Sequence, residues 1–121
     1  MEIQIEQCAP ATVIRISGSI DGLTADDLLI KLQTLVAEGN VQLVGDLSKV
    51  SYTSSAGLRS LLAVLRDARS AGGDLRLAAV YAPVLKILEL SGFTSILKVF
   101  DDVGSAIASY SVKPTKEGFN E

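Results

Sequence analysis

Short runs of aliphatic and β-branched residues alternate with longer runs of helical periodicity along most of this chain. Ile3 and Ile5 alternate with polar neighbours, and an apolar run at 13–16 follows Ala9-Pro10, so the first two segments predict a hairpin. Beyond the hairpin, strand-like and helix-like runs alternate, which is typical of right-handed strand–helix–strand units with parallel strands. We therefore expect an α/β fold, with a mixed, mostly parallel sheet of about four to five strands and about four helices packed against it.

The remaining segments follow from periodicity and from glycine and proline positions. Further strands are expected at 41–44, 74–80 and 95–99, and helices at about 25–38, from 55 to Gly72-Gly73, at 83–90 and from 101 to about 110. Residues 17–22 are expected to form a loop, and Asp46 to lie at the end of its strand. Thr24 and Asp27 resemble a capping box with a shorter acid, which would start the first helix.

The second helix is predicted to have one core face and one polar face. The leucines expected in the core are Leu58, Leu61, Leu62 and Leu65, and the residues expected to point largely outward are Arg59, Ser60, Ala63, Arg66 and Asp67. Before it lies a hydroxyl-rich turn, Tyr52-Thr53-Ser54-Ser55, and Ser55 is its most informative residue. A serine at a helix start can cap unpaired backbone N–H groups, and the same helix end favours negative charge such as a phosphoryl group. The turn is therefore either a cap or a switch.

Composition excludes several classes of function. A length of 121 residues with 48% apolar content suits one domain, which we place at 1–110 with a flexible tail at 111–121. The net charge of −3, without a basic cluster, gives no reason to expect nucleic-acid binding. The first residues do not resemble a secretory signal, and no run approaches the roughly 20 apolar residues that span a bilayer. We expect a cytoplasmic protein without direct membrane insertion.

The sequence lacks histidine and several motifs of common catalytic and metal sites. It contains no histidine, which excludes imidazole catalysis and histidine-ligated zinc, and its one cysteine, Cys8, forms no intrachain disulfide. No phosphate-binding glycine motif and no nucleophile elbow occur. We predict no enzymatic activity, no cofactor and no metal.

Four motifs in order resemble the STAS domain family, and most closely its bacterial anti-sigma factor antagonist (anti-anti-sigma factor) branch. They are Ser17-Gly18-Ser19-Ile20-Asp21, Asp46-Leu47-Ser48, Tyr52 to Leu58, and Gly72 to Leu77. The resemblance implies a partner-switching regulator of transcription. Its unphosphorylated form would bind an anti-sigma factor that is also a GHKL-type serine kinase and so free the sigma factor. Phosphorylation would break that complex, and a PP2C-type phosphatase would restore it.

The resemblance also implies which residues act. It places phosphorylation at Ser55, with Ser54 as the weaker candidate because many members have aspartate at that position. The residues predicted to bind the partner are Ser19, Asp21, Thr24, Asp46, Ser54, Ala56, Gly57 and Arg59. Arg59 is included, like Arg66 and Arg69, as a charge that could contact an acidic patch on the partner. Asp46 could help to position Ser55 or a kinase-bound metal. Three of these residues have a simpler structural explanation as well: Thr24 as a helix cap, Asp46 as a turn former, and Arg59 as a solvated charge.

Two other functions remain open at this point. STAS-like domains also occur as scaffolds or regulatory subunits of stress-signalling and membrane transport complexes, where the serine would be inert. A nucleotide-binding or hydrolytic activity has been suggested for some relatives, but this sequence has no phosphate loop for it.

Overall fold

The structure, a computed structural model, describes residues 1–111, which contain five strands, four α-helices and one 3-10 helix. The strands are β1 (Glu2–Cys8), β2 (Ala11–Ile20), β3 (Gln42–Thr53), β4 (Asp74–Ala78) and β5 (Val99–Phe100). The α-helices are α1 (Ala25–Ala37), α2 (Ser55–Ser70), α3 (Ala82–Leu90) and α4 (Val103–Ser109), and the 3-10 helix is Phe93–Ser95. Apart from Ser111, the tail predicted at 111–121 lies outside the described residues.

The strands form one sheet whose spatial order is the order along the chain, β1-β2-β3-β4-β5. β1 runs antiparallel to β2, as the hairpin prediction requires, and the three later pairs are parallel. Each parallel pair needs a crossover connection, and α1, α2 and α3 supply these. The predicted mixed, mostly parallel sheet with helices packed against it is confirmed.

The two faces of the sheet are covered unequally. The larger core joins alternate residues of β2, β3 and β4 to α1, α2 and α3, and includes Ile14, Leu43, Leu61 and Leu65. On the opposite face, Val13, Val44 and Ala78 pack with Ala106 of α4 in a smaller cluster. The alternation between the two clusters is the period-two pattern of a strand buried on both sides.

β2 and β3 are both longer than the sequence indicated. The loop expected at 17–22 is wrong over Ser17–Ile20, because this segment pairs in parallel with Lys49–Thr53. The serines and the glycine of this segment suggest a turn, but hydrogen bonds between β2 and β3 satisfy the backbone groups. Burial of Ile20, Val50 and Thr53 also favours the strands. The pairing shifts register after Arg15 and again after Gly18, which are irregularities that the sequence pattern does not reveal.

Two other predictions need correction. The last strand is only Val99–Phe100 instead of 95–99, because Phe93 is buried and the segment after Gly92 coils into the 3-10 helix. Ser60 was expected to point outward, but it is buried and its hydroxyl donates to the carbonyl oxygen of Ala25 at 2.9 Å. Ser60 therefore joins α2 to α1, while Leu61 and Leu65 are buried as predicted.

Candidate functional site

The turn between β3 and α2 assigns different roles to its two serines. Ser54 has extended backbone geometry and is the N-cap of α2; its hydroxyl oxygen accepts from the Gly57 N–H at 3.1 Å. Its own N–H donates to the carbonyl oxygen of Ile20 at 2.8 Å, which ties the turn to the end of β2. Ser55 is then the first helical residue and is exposed. The cap predicted for this turn is provided by Ser54, which leaves the hydroxyl of Ser55 available.

The Ser55 side chain is exposed at the start of α2. Within residues 1–111 the Ser55 side chain forms no hydrogen bond, and the first turn of α2 holds no acidic residue. Ala56 is half-buried, and Arg59 is exposed four residues further along the helix. A hydroxyl in this position is accessible to another protein from solvent.

Gly57 positions this helix start by allowing close packing. It is buried, and a Cβ atom there would collide with Thr53 Oγ1 and lie 2.8 Å from Ile20 Cγ2. Any larger residue would push α2 away from the ends of β2 and β3. Gly57 was predicted as a partner-binding residue; in the structure it lies beneath the exposed surface and supports it.

The loop after β2 is held by its own side chains. The carboxylate of Asp21 accepts from the backbone N–H groups of Thr24 and Leu23, at 3.0 and 2.9 Å, and these bonds hold the pKa of Asp21 below its ordinary value. Thr24 Oγ1 accepts from the Asp21 N–H at 2.9 Å and lies 3.2 Å from the Ser19 carbonyl oxygen. The capping box predicted for Thr24 and Asp27 is wrong, because the Thr24 side chain bonds backward into this loop and makes no cap bond to α1.

The loop adjoins the Ser55 turn and presents an apolar residue that the sequence analysis did not select. Ile20, directly before the loop, accepts the Ser54 N–H, and Ser19 Oγ lies 3.5 Å from Ser51 Oγ. Leu23 is 88% exposed, although its backbone N–H is fixed by Asp21. The only indication in the sequence is a single leucine within a short polar segment. The loop that carries Ser19, Asp21 and Thr24 therefore begins beside the turn that carries Ser54 and Ser55.

Asp46 lies elsewhere, in the middle of β3, where it is paired with Arg15 of β2 and Ala78 of β4. It is seven positions before Thr53, or about 20 Å along an extended strand, so it neither forms a turn nor positions Ser55. Burial opposes its charge, but hydrogen bonds from Ser48 and the ion pair with Arg15 at 2.9 Å outweigh this effect and lower the pKa of Asp46. Its role in this structure is to join β2 to β3.

Residues 1–111 contain neither a candidate metal-ligand cluster nor a candidate membrane-spanning helix. Among residues 1–111, no group of three or more cysteine, aspartate or glutamate side chains is arranged to hold a metal ion. Within the same residues, no helix is both long enough and apolar enough to cross a bilayer.

Comparisons with known proteins agree with this geometry. The family profile described as STAS domain matches residues 2–106. BtrV of Bordetella bronchiseptica, named as a candidate anti-sigma factor antagonist, is 30% identical over 110 residues, which cover 91% of this chain and 95% of BtrV. The chain therefore belongs to the STAS domain family and, within it, to the anti-sigma factor antagonists. This is a family of regulatory proteins, which confirms the prediction that the chain is not an enzyme.

Solved structures show the same fold at lower identity. A candidate anti-sigma factor antagonist from Thermotoga maritima superposes with a TM-score of 0.86 at 17% identity, covering 91% of this chain and 95% of the other. The Bacillus cell fate determinant SpoIIAA, solved in a phosphorylated form, gives 0.70 at 20% identity and covers 90% and 99%. The STAS fold predicted from the sequence is confirmed.

Proposed function

We propose that this protein is an anti-sigma factor antagonist controlled by phosphorylation of Ser55. Its unphosphorylated form binds an anti-sigma factor that is also a GHKL-type serine kinase, and the sigma factor is released. A PP2C-type phosphatase removes the phosphoryl group and restores binding. The observation that carries the proposal is the division of roles in the turn, in which Ser54 caps α2 while Ser55 is exposed and has no hydrogen-bond partner in residues 1–111.

The chemistry requires only an accessible hydroxyl on this chain. Ser55 Oγ attacks the γ-phosphorus of ATP held by the kinase, the bond to the bridging oxygen breaks, ADP leaves and the hydroxyl proton passes to a base on the kinase or to water. In the reverse half of the cycle, water attacks the phosphorus on the phosphatase, phosphate leaves and the serine oxygen regains a proton. Nothing is oxidised or reduced in either step.

Ser55 is the better acceptor for structural reasons. The Ser54 hydroxyl is half-buried and accepts the Gly57 N–H, so its modification would disturb a cap whose loss costs about 0.5–2 kcal/mol. Among the described residues, the Ser55 hydroxyl makes no bond that phosphorylation would break. A relative solved in a phosphorylated form also supports a modification on this fold.

Phosphorylation should affect binding far more than folding. It adds about −1.5 to −2 charges to a surface that would otherwise be buried against the partner. The exposed helix start tolerates that charge, whereas desolvating it in an interface costs several kcal/mol. A loss of about 3 kcal/mol corresponds to more than a hundredfold weaker association.

The partner surface that we propose surrounds Ser55. It consists of the loop with Ser19, Asp21, Leu23 and Thr24, together with Ala56 and Arg59 of α2. Because the loop is fixed by its own hydrogen bonds, little conformational entropy would be lost when it meets a partner. Since the partner regulates transcription, the proposed site of action is the cytoplasm.

The test uses four baits in native lysate: wild type, Ser55→Ala, Ser55→Glu and the control Ser95→Glu. Ser95 is an exposed serine in the 3-10 helix, so the control adds the same charge away from the proposed surface. We expect wild type, Ser55→Ala and Ser95→Glu to retain a GHKL-type kinase and Ser55→Glu to lose it. Retention of the same non-kinase proteins by all four would replace this function with that of a scaffold or regulatory subunit.

A further inference from the structure

We propose that Arg59 binds the phosphoryl group on Ser55 within the same helix, so that the phosphorylated form carries an internal ion pair. The occurrence of that phosphoryl group in the cell rests on the proposed function, whereas the ion pair itself depends only on the geometry of α2. Arg59 would thereby act as a positioning residue for the modification.

The helix places the two side chains side by side. Ser55 and Arg59 are the first and fifth residues of α2, and both are exposed. Residues four apart on a helix have Cβ atoms about 5–6 Å apart, which is within reach of an arginine side chain. An acidic group that precedes a basic one at this spacing is the more favourable order. Phosphorylation of Ser55 creates this arrangement.

Arg59 has no competing partner in the described part of the chain. Its other neighbours at three and four positions along α2 are Ala56, Leu62 and Ala63, which have no polar side-chain atoms. The arginines that form ion pairs within residues 1–111 are Arg15, Arg69 and Arg76. Ser55 is therefore the one polar neighbour of Arg59 at helical spacing, and the pair forms without breaking another contact.

The chemistry of the two groups matches. A guanidinium presents parallel N–H donors that fit two phosphate oxygens, and these charge-assisted bonds are stronger than neutral ones. The pair favours the dianionic phosphate over the monoanion and so lowers the second pKa of the phosphoserine.

The pair has a consequence for regulation. In the unphosphorylated protein Arg59 is exposed and available to a partner, whereas in the phosphorylated protein it turns toward Ser55. One modification therefore changes two groups of the proposed partner surface: it adds an anion and withdraws a cation. A phosphatase acting on this form must also displace Arg59 from the phosphate.

The test titrates phosphoserine installed at position 55 by genetic incorporation, so that no kinase is required. Phosphorus NMR gives its second pKa in the wild-type background and in Arg59→Gln, Arg59→Lys and Arg66→Gln. Arg66 is a matched control, because it is exposed on the same helix and has Leu62 four residues before it. We expect Arg59→Gln to raise that pKa by about 0.2–0.4, Arg59→Lys to restore most of the difference, and Arg66→Gln to leave it unchanged.

An equal pKa in all four proteins would overturn the proposal, and so would an equal rise in Arg59→Gln and Arg66→Gln, which would indicate only the general field of the helix. The outcome is independent of the proposed function. If installed phosphoserine leaves kinase binding intact, the switch fails while the ion pair can still be present; if binding is lost without a pKa difference, the ion pair fails and the switch stands.

Discussion

The carboxylate of Asp74, at the start of β4, is buried between two arginines, whereas the Ser55 hydroxyl and the Arg59 guanidinium, after the C-terminal end of β3, are both exposed. Asp74 accepts from Arg69 Nε at 2.9 Å and Arg76 Nε at 3.0 Å. We call this the closed end of the sheet, because the side chains of Asp74, Arg69 and Arg76 bind one another there. The Ser55 end is open, because the Ser55 and Arg59 side chains are exposed and form no hydrogen bond within residues 1–111.

Tyr110 completes the closed end. Its hydroxyl lies 2.8 Å from the Leu43 carbonyl oxygen and 2.9 Å from that of Asp74, while Arg76 stacks 4.0 Å from the ring centre. Burial raises the pKa of Tyr110 well above its ordinary value. The comparison shows that similar side chains stabilise the fold when they pair internally and remain available for binding when they do not. Substitutions at the closed end should therefore affect stability, and those at the open end should affect binding.

The largest effect on stability is expected for Asp74→Ala. It leaves Arg76, whose side chain is 13% exposed, as an uncompensated buried charge, which should lower the free energy of unfolding by about 3 kcal/mol. Urea denaturation measures the loss, with the exposed Asp101→Ala as a control expected to change it by less than about 0.5 kcal/mol. A loss under about 1 kcal/mol would mean that the closed end is not a structural cluster.

Gly57→Ala should destabilise the protein by about 1–2 kcal/mol, because the added Cβ meets Thr53 and Ile20 and only part of this cost is recovered from helix propensity. The matched control is Gly104→Ala in α4, where the added Cβ is at an ordinary 3.4 Å from Asp102 Oδ1 and should stabilise slightly. Thermal unfolding of both variants checks this. Equal effects would show that the packing beneath the Ser55 turn is loose.

The adjacent serines allow a direct comparison within one turn. Ser54→Ala should cost about 1 kcal/mol, because the Gly57 N–H loses its acceptor, while Ser55→Ala should stay within about 0.5 kcal/mol of wild type. Denaturant titration of the two single variants separates them. If Ser55→Ala proves the more destabilising, then Ser55 and not Ser54 is the cap.

Tyr110→Phe should lower stability by about 1 kcal/mol, since it removes a buried donor and leaves two carbonyl oxygens without it. Tyr81→Phe is the control, because Tyr81 is 50% exposed and its hydroxyl makes no hydrogen bond within residues 1–111. The difference in unfolding free energy between the two variants is the quantity to measure. Equal unfolding free energies would mean that the hydroxyl of Tyr110 does not stabilise the closed end.

The smallest effect concerns pH. The pKa of Asp46 in the folded protein is lowered below 3.8. The contribution of its carboxylate to the free energy of unfolding is therefore fully present above pH 3.8 and is lost as the pH falls through the folded-state pKa. Asp46→Asn should be less stable than wild type by a few tenths of a kcal/mol near neutrality, and the difference should shrink in acid. Urea denaturation above and below pH 3.8 tests this. A constant difference would contradict the assigned ion pair with Arg15.

Local patterns predicted the order of the elements, because the spacing of Leu28, Leu61 and Leu65 depends only on nearby sequence. They could not place Asp46, because the length of β3 is set by its pairing with β2, which is distant in sequence. They also could not decide between Ser54 and Ser55, since the helix start must be known to within one residue. The contacts of Tyr110 with Leu43 and Asp74 span more than thirty residues and leave no periodic trace.

The most direct test of the switch uses the kinase captured by the Ser55→Ala bait. Its affinity is measured for two forms of this protein, one with serine and one with phosphoserine at position 55. Isothermal titration calorimetry of the two forms supplies both values. The account predicts that phosphoserine weakens binding by more than about a hundredfold, while both forms unfold at similar temperatures. Equal affinity for the two forms would contradict it.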